Sequence, residues 1–136
     1  MANTFYSYLA FLQPSSNGNL LVLKQNLETF YEKQTVADKP EITLDDNLIT
    51  LVFNEEYEFH VFFSDEEHVN QEAKELAEEY EFDWNENPFD KEKLKTCIKR
   101  FEVWGDDDFD MDYFNDSLFI IDEIEKFTDV IIFHNE

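Results

Sequence analysis

The sequence predicts a single α+β domain in which a mostly antiparallel sheet carries three or four packed helices. Two observations favour this class: short apolar segments alternate with tight turns, and other segments repeat their apolar residues at helical spacing. A ferredoxin-like sandwich is one arrangement that fits this order of elements. Neither a linker nor an internal repeat divides the 136 residues, so we expect one domain over residues 1–136.

The first half of the chain predicts one helix among four strands. Residues 4–12 are apolar on both alternating sets, which is typical of a strand near the middle of a sheet. The segment 19–33 repeats its leucines at helical spacing and predicts a helix. Three strands separated by short turns, and therefore by antiparallel hairpins, are expected at 42–44, 48–53 and 57–63.

Helices predominate in the second half. Ser64 and Glu67 have the spacing of a capping box, so a helix is expected over 64–80, with an apolar stripe that ends at Tyr80. Asn87–Pro88 is expected to open a basic helix with Leu94, Cys97 and Ile98 inward and Phe101 as a further candidate. The remaining predicted elements are a short strand at 101–104, a helix near 112–126 and a strand at 129–134. The helix near 112–126 is expected to bury Phe114, Leu118, Ile121 and Ile124.

The charge of the chain excludes ordinary nucleic-acid binding. There are 33 acidic and 10 basic residues, for a formal net charge of −23, so the chain cannot neutralise a row of phosphates. The two glycines of the chain also exclude a glycine-rich phosphate loop. Residues 1–39 sum to zero charge, so all of the net negative charge lies in residues 40–136. We therefore expect a basic protein, and not a nucleic acid, as the partner.

Several features predict a cytoplasmic protein. The N-terminal segment lacks the basic start and apolar core of a signal peptide, and no apolar run is long enough to span a membrane. Cys97 is the only cysteine, so an intramolecular disulfide is excluded and a reducing compartment is favoured. The acidic balance also disfavours contact with anionic lipid.

The sequence contains no catalytic motif, and we expect neither an enzyme nor a cofactor. The patterns of nucleophile elbows, zinc proteases and Walker loops are all missing. Alternate carboxylates over 106–112 have the chemistry of a calcium loop, but neither possible register places the glycine and glutamate that an EF-hand needs. A domain that binds a divalent metal or a small ligand therefore remains an alternative function, but we assign no residue as a metal ligand.

The predicted partner-binding surface combines acidic and aromatic residues. Glutamates continue to the C-terminal end of the helix over 64–80, where the helix dipole prefers cations, so helix stability does not explain them. The segment 101–116 alternates carboxylates with bulky apolar side chains, a mixture suited to steering and anchoring a basic protein. The residues predicted to contact the partner are Glu66, Glu72, Glu75, Glu79, Trp104, Asp106, Asp107, Asp108, Phe109, Asp110, Asp112 and Tyr113.

Two further hypotheses about function follow from these features. The first is a small inhibitor that presents carboxylates where phosphates would sit on a basic nucleic-acid enzyme, in the manner of immunity proteins and nucleic-acid mimics. The second is a general interaction or regulatory module whose acidity only maintains solubility. The two differ in the dependence of binding on salt, which only the inhibitor requires.

Overall fold

A computed structural model of the chain describes residues 5–34, 39–79 and 91–134, and this part of the chain forms one six-stranded sheet with four helices. The elements are β1 (Phe5–Leu12), α1 (Leu20–Lys33), β2 (Glu41–Asp45), β3 (Leu48–Phe53), β4 (Tyr57–Ser64), α2 (Glu67–Glu79), α3 (Lys91–Lys95), β5 (Lys99–Gly105), α4 (Phe114–Glu125) and β6 (Val130–His134). The strand order is β2-β3-β4-β5-β1-β6, and every neighbouring pair is antiparallel. The predicted α+β class is confirmed.

The helices cover the sheet on both faces. On the first face α1 and α4 share a core with the inward residues of the sheet, among them Leu12 and Phe59. On the second face α2 and α3 pack against Phe11 and Ile131. Because successive strand residues point to opposite faces, β1 must be apolar on both sets to serve both cores. β1 pairs with β5 on one side and β6 on the other, so its predicted interior position is confirmed.

The connections resemble a ferredoxin-like sheet in one unit only. α4 joins β5 to β6, and β1 lies between those two strands, as in a split β-α-β unit. α1, by contrast, connects β1 to β2 across three intervening strands, and β2, β3 and β4 form a simple meander. The observed sheet therefore shares the β5-α4-β6 unit with the ferredoxin-like arrangement but differs from it in the connection through α1 and in the β2–β3–β4 meander.

The start of α1 follows from its capping residue. The Asn19 side chain accepts a hydrogen bond of 3.0 Å from the Val22 N–H, which satisfies one of the unpaired donors of the first turn.

The start of α2 differs from the sequence prediction, and the capping box predicted at Ser64 is not formed. Ser64 is the last residue of β4, pairs with Arg100 and is buried, and its hydroxyl has no hydrogen-bond partner among the described residues. α2 begins at Glu67 because the β4–β5 ladder continues through Ser64.

Helix faces differ from prediction at several positions. α4 buries Ile121 and Ile124 as expected, but Phe114 and Leu118 are exposed. Ile98 follows the short helix α3 and is also exposed, whereas Leu94 and Cys97 are buried. Tyr80 and Asn87–Pro88 lie outside the described residues. None of the helices in the described ranges is long and apolar enough to cross a bilayer.

Candidate functional site

Four large apolar side chains are exposed on the loop after β5 and on the first turns of α4. Phe109 is 80% exposed, Met111 57%, and Phe114 and Leu118 39% each. The ring of Phe109 meets Phe5 edge-on at 5.1 Å between centroids. We call Phe109, Met111, Phe114 and Leu118 the exposed apolar patch. Exposed apolar clusters with a polar border are typical of protein interaction sites.

The loop that carries Phe109 and Met111 is held from inside by Asp108. Asp108 is only 7% exposed, and its carboxylate accepts hydrogen bonds from the Tyr6 hydroxyl at 2.7 Å, the Asp112 N–H at 3.0 Å and the Tyr113 N–H at 2.7 Å. These bonds fold the chain from Asp108 into a compact turn that leads into α4. Met111 occupies the left-handed backbone region at φ 59° within this turn, and its side chain points outward.

A second set of contacts ties the loop to β4. The Tyr57 hydroxyl donates to the Asp106 carbonyl at 2.7 Å, and the Glu58 N–H donates to the Asp106 carboxylate at 3.0 Å. The rings of Tyr57 and Tyr113 stack at 4.1 Å with an interplanar angle of 12°. Both ends of the turn are therefore fixed to the sheet, and the apolar patch is presented on a rigid support.

Tyr57 and Phe59 of β4 leave no room for a side chain at Gly105, where β5 ends. A Cβ at this position would lie 2.6 Å from the Tyr57 hydroxyl oxygen and 2.9 Å from a ring carbon of Phe59. Glycine is therefore required for Tyr57 to reach the Asp106 carbonyl.

Three exposed carboxylates form what we call the acidic rim of the patch. Asp107, Asp110 and Asp112 are exposed and alternate in sequence with the patch residues. Asp116, in the first turn of α4, is half-buried and accepts a hydrogen bond of 2.7 Å from the Tyr31 hydroxyl. The acidic segment thus divides into carboxylates that hold the fold and carboxylates that face solvent.

The tyrosine hydroxyls around this segment give a prediction for alkaline pH. Burial, followed by the nearby carboxylates Asp108 and Asp116, raises the pKa of Tyr6, Tyr31 and Tyr57 above the ordinary value of 10.0. Above pH 10 the unfolded chain loses protons that the folded chain keeps, so the free energy of unfolding falls as the pH rises.

Urea unfolding should detect this loss. We expect the midpoint to fall between about pH 9 and about pH 11, and we expect the fall to be smaller in Tyr31→Phe, which removes one of the three groups. A midpoint that stays constant over this range, with all tyrosines titrating together near 10, would contradict the prediction.

The predicted glutamates of the segment 64–80 lie on or just before α2, on the second face of the sheet, and Glu66 precedes the first helical residue, Glu67. Glu66, Glu75 and Glu79 are exposed, and the Glu66 carboxylate lies 3.4 Å from the His68 imidazole. Glu72 is paired within the fold, since its carboxylate lies 3.1 Å from the guanidinium of Arg100. The helix and the loop, which the sequence treats as one acidic surface, therefore belong to different layers.

Arg100 is the only arginine of the chain and is 5% exposed. Its guanidinium contacts Glu102 at 3.0 Å as well as Glu72, and it lies over the Phe11 ring at 5.5 Å. The guanidinium thus joins β5 to α2 on the second face of the sheet. The basic run at 91–100 neutralises part of the acidic charge inside the fold through this residue.

Trp104 and Tyr113, the other predicted aromatic anchors, are half-buried. Trp104 is on the second face of β5, where its ring stacks on His60 at 5.1 Å. Tyr113 supports the loop from below through its contact with Tyr57. Of the three predicted aromatic anchors, Phe109 is the one whose side chain is exposed to solvent.

Phe114 and Leu118 were missed as surface residues for a reason visible in the sequence. The segment 114–125 holds more apolar residues than one helix face can accommodate, and two overlapping stripes satisfy the helical period. The stripe through Ser117, Ile120 and Ile124 turns inward. An excess of apolar residues over one stripe was the signal that some of them must be exposed.

The alternate carboxylates of the loop do not form a metal cage. Asp108 points inward while its neighbours in the acidic rim point outward, and no group of three or more metal-ligating side chains converges within the part of the chain described here.

Comparisons of the chain with protein-family models, with curated proteins and with solved structures found no match.

Proposed function

We propose that this protein is a small cytoplasmic inhibitor that binds a basic, nucleic-acid-acting protein through the exposed apolar patch and its acidic rim. The observation that carries the proposal is the exposure of Phe109 beside Asp107 and Asp110 in a chain of net charge −23. Burial of one phenylalanine side chain contributes about 1.5–3 kcal/mol. One apolar anchor of this size, surrounded by negative charge, favours a partner whose binding surface is positively charged.

The acidic rim supports the choice of a nucleic-acid-acting partner. Guanidinium and ammonium groups that bind phosphate also bind carboxylates, with similar geometry and charge-assisted hydrogen bonds. Asp107, Asp110 and Asp112 would occupy such phosphate positions, while Phe109 fills a neighbouring apolar contact. The exposed glutamates of α2 would add to the long-range field that speeds encounter without contacting the same surface.

Salt-dependent capture with matched variants tests this proposal. The immobilised protein is exposed to a lysate of the cells that make it and eluted with rising salt, in parallel with Asp107→Lys/Asp110→Lys and Glu41→Lys/Asp45→Lys. Both double variants change the net charge equally, but Glu41 and Asp45 lie on the edge strand β2. We expect the wild type and the β2 variant to capture one basic protein, released by moderate salt, whose nucleic-acid activity falls when the purified protein is added.

The outcome that rejects the inhibitor is equally specific. A captured protein that Asp107→Lys/Asp110→Lys retains in full, or that moderate salt does not release, would show that charge at the rim has no role. If the captured protein is basic but has no nucleic-acid activity, then the carboxylates do not act as phosphate mimics, and only the expectation of a basic partner is retained.

The exposure of Phe109 and Met111 also favours a second candidate, a general interaction module whose acidity serves solubility. In that case binding depends on apolar contact alone. Phe109→Ala would then abolish capture, while the charge-reversed variant and rising salt would leave it unchanged.

A further inference from the structure

The exposed apolar patch has acidic charge at both of its ends. Phe114 and Leu118 lie one turn apart on α4, separated by roughly 6 Å along the helix axis. One turn beyond Leu118 the exposed face of α4 becomes acidic, with Asp122 and then Glu125. The acidic rim lies at the opposite end, around the loop that carries Phe109 and Met111. The surface is thus an apolar centre between two acidic ends.

The backbone around the patch offers no place for an added strand. Strand addition needs the free edge of a sheet, and the edge strands of the described sheet, β2 and β6, contribute no patch residue. Within the loop, the N–H groups of Met111, Asp112, Tyr113 and Phe114 donate to the Asp108 carbonyl, the Asp108 carboxylate or the Met111 carbonyl. An extended peptide laid on the patch would therefore leave its own main-chain groups without partners from the loop.

We infer that the patch receives an amphipathic helix with an apolar stripe flanked by lysine and arginine. This inference rests on the proposed function and specifies which segment of the basic partner makes the contact. A helix satisfies its own main-chain hydrogen bonds and presents apolar residues one turn apart, which matches the spacing of Phe114 and Leu118. The face of α4 from Phe114 to Glu125 is roughly 17 Å long, which corresponds to about three turns of the bound helix.

The chemistry of the patch fits such a helix. Met111 has an unbranched, polarisable side chain that adapts to different apolar partners. The carboxylates at the two ends can pair with basic residues that flank the apolar stripe. Because Asp108 already fixes the loop, little conformational entropy is lost when the helix binds.

Two synthetic peptides of leucine and lysine test the inference. Both have the same composition and about three helical turns of residues, but one places its leucines at helical spacing and the other alternates them as in a strand. Each peptide is titrated into the ¹⁵N-labelled full chain. The same titrations are made with Leu118→Lys and with Leu21→Lys, a matched change at an exposed leucine of α1 outside the patch.

We expect the helical-period peptide to bind at least about tenfold more tightly than the alternating one and to shift the amide signals of residues 109–118. Leu118→Lys should weaken this binding and Leu21→Lys should not. Equal affinity of the two peptides, or a preference for the alternating one, overturns the helical occupant. The inference is also overturned if the peptide shifts amide signals outside residues 109–118, or if Leu118→Lys leaves its affinity unchanged. Failure of the inhibitor proposal is read separately, from capture by Asp107→Lys/Asp110→Lys.

Discussion

Asp108→Ala is expected to lower the free energy of unfolding by about 3–5 kcal/mol, because it removes the acceptor of three hydrogen bonds from a nearly buried site. The Tyr6 hydroxyl and the N–H groups of Asp112 and Tyr113 would lose their partner together. The turn that carries Phe109 and Met111 would open with them. Urea unfolding, followed by circular dichroism, measures the change.

Two variants separate this role of Asp108 from its charge. Asp107→Ala removes an equal charge from an exposed position one residue earlier, and we expect an effect within about 0.5 kcal/mol. Tyr6→Phe combined with Asp108→Ala should cost clearly less than the sum of the single changes, because the hydrogen bond can be lost only once. Strict additivity, or an equal loss in Asp107→Ala, would refute the structural role of Asp108.

Arg100→Ala is expected to lower the free energy of unfolding by a similar amount, about 3–5 kcal/mol. Arg100 is 5% exposed, and its guanidinium contacts Glu72 on α2 and Glu102 on its own strand. Removal of the cation leaves the carboxylates of Glu72 and Glu102 without their shared partner, and it also removes the packing against Phe11. The same unfolding measurement applies.

The comparison variants for Arg100 test whether charge or volume matters. Arg100→Met keeps most of the apolar volume, so it should recover the packing part of the loss only. Lys24→Ala breaks the pair of 3.1 Å between the half-buried Lys24 and the exposed Glu28 on the surface of α1, and we expect it to cost at most about 0.5 kcal/mol. If Arg100→Ala costs no more than Lys24→Ala, then Arg100 does not tie α2 to the sheet.

Local sequence patterns were sufficient for most of the secondary structure. The apolar run over 48–53 and the alternation over 57–63, each bounded by turn residues, predict β3 and β4. The start at Ser64 failed because a long-range pairing with Arg100 keeps that residue in β4 despite a good local capping signal. Strand order depends on such long-range pairings, and no local pattern contains it.

The candidate site was predicted less completely than the fold. Phe109 was identified because bulky apolar side chains alternate with carboxylates over 101–116, a mixture typical of protein interfaces. Asp108 could not be distinguished from Asp107 and Asp110, since the backbone turn alone decides which carboxylate points inward. The same holds for Glu72, which looks like its neighbours on α2 until Arg100 is brought beside it from another part of the chain.

The position of β1 has a consequence for how the chain folds during synthesis. Within the described sheet β1 is synthesised before the other five strands, yet its partners β5 and β6 are synthesised after the other four. The β2–β3–β4 meander can form early, while the apolar residues of β1 wait without a partner until nearly the whole sheet has been translated. The nascent chain therefore passes through a long stage in which an aggregation-prone strand has no partner strand to pair with.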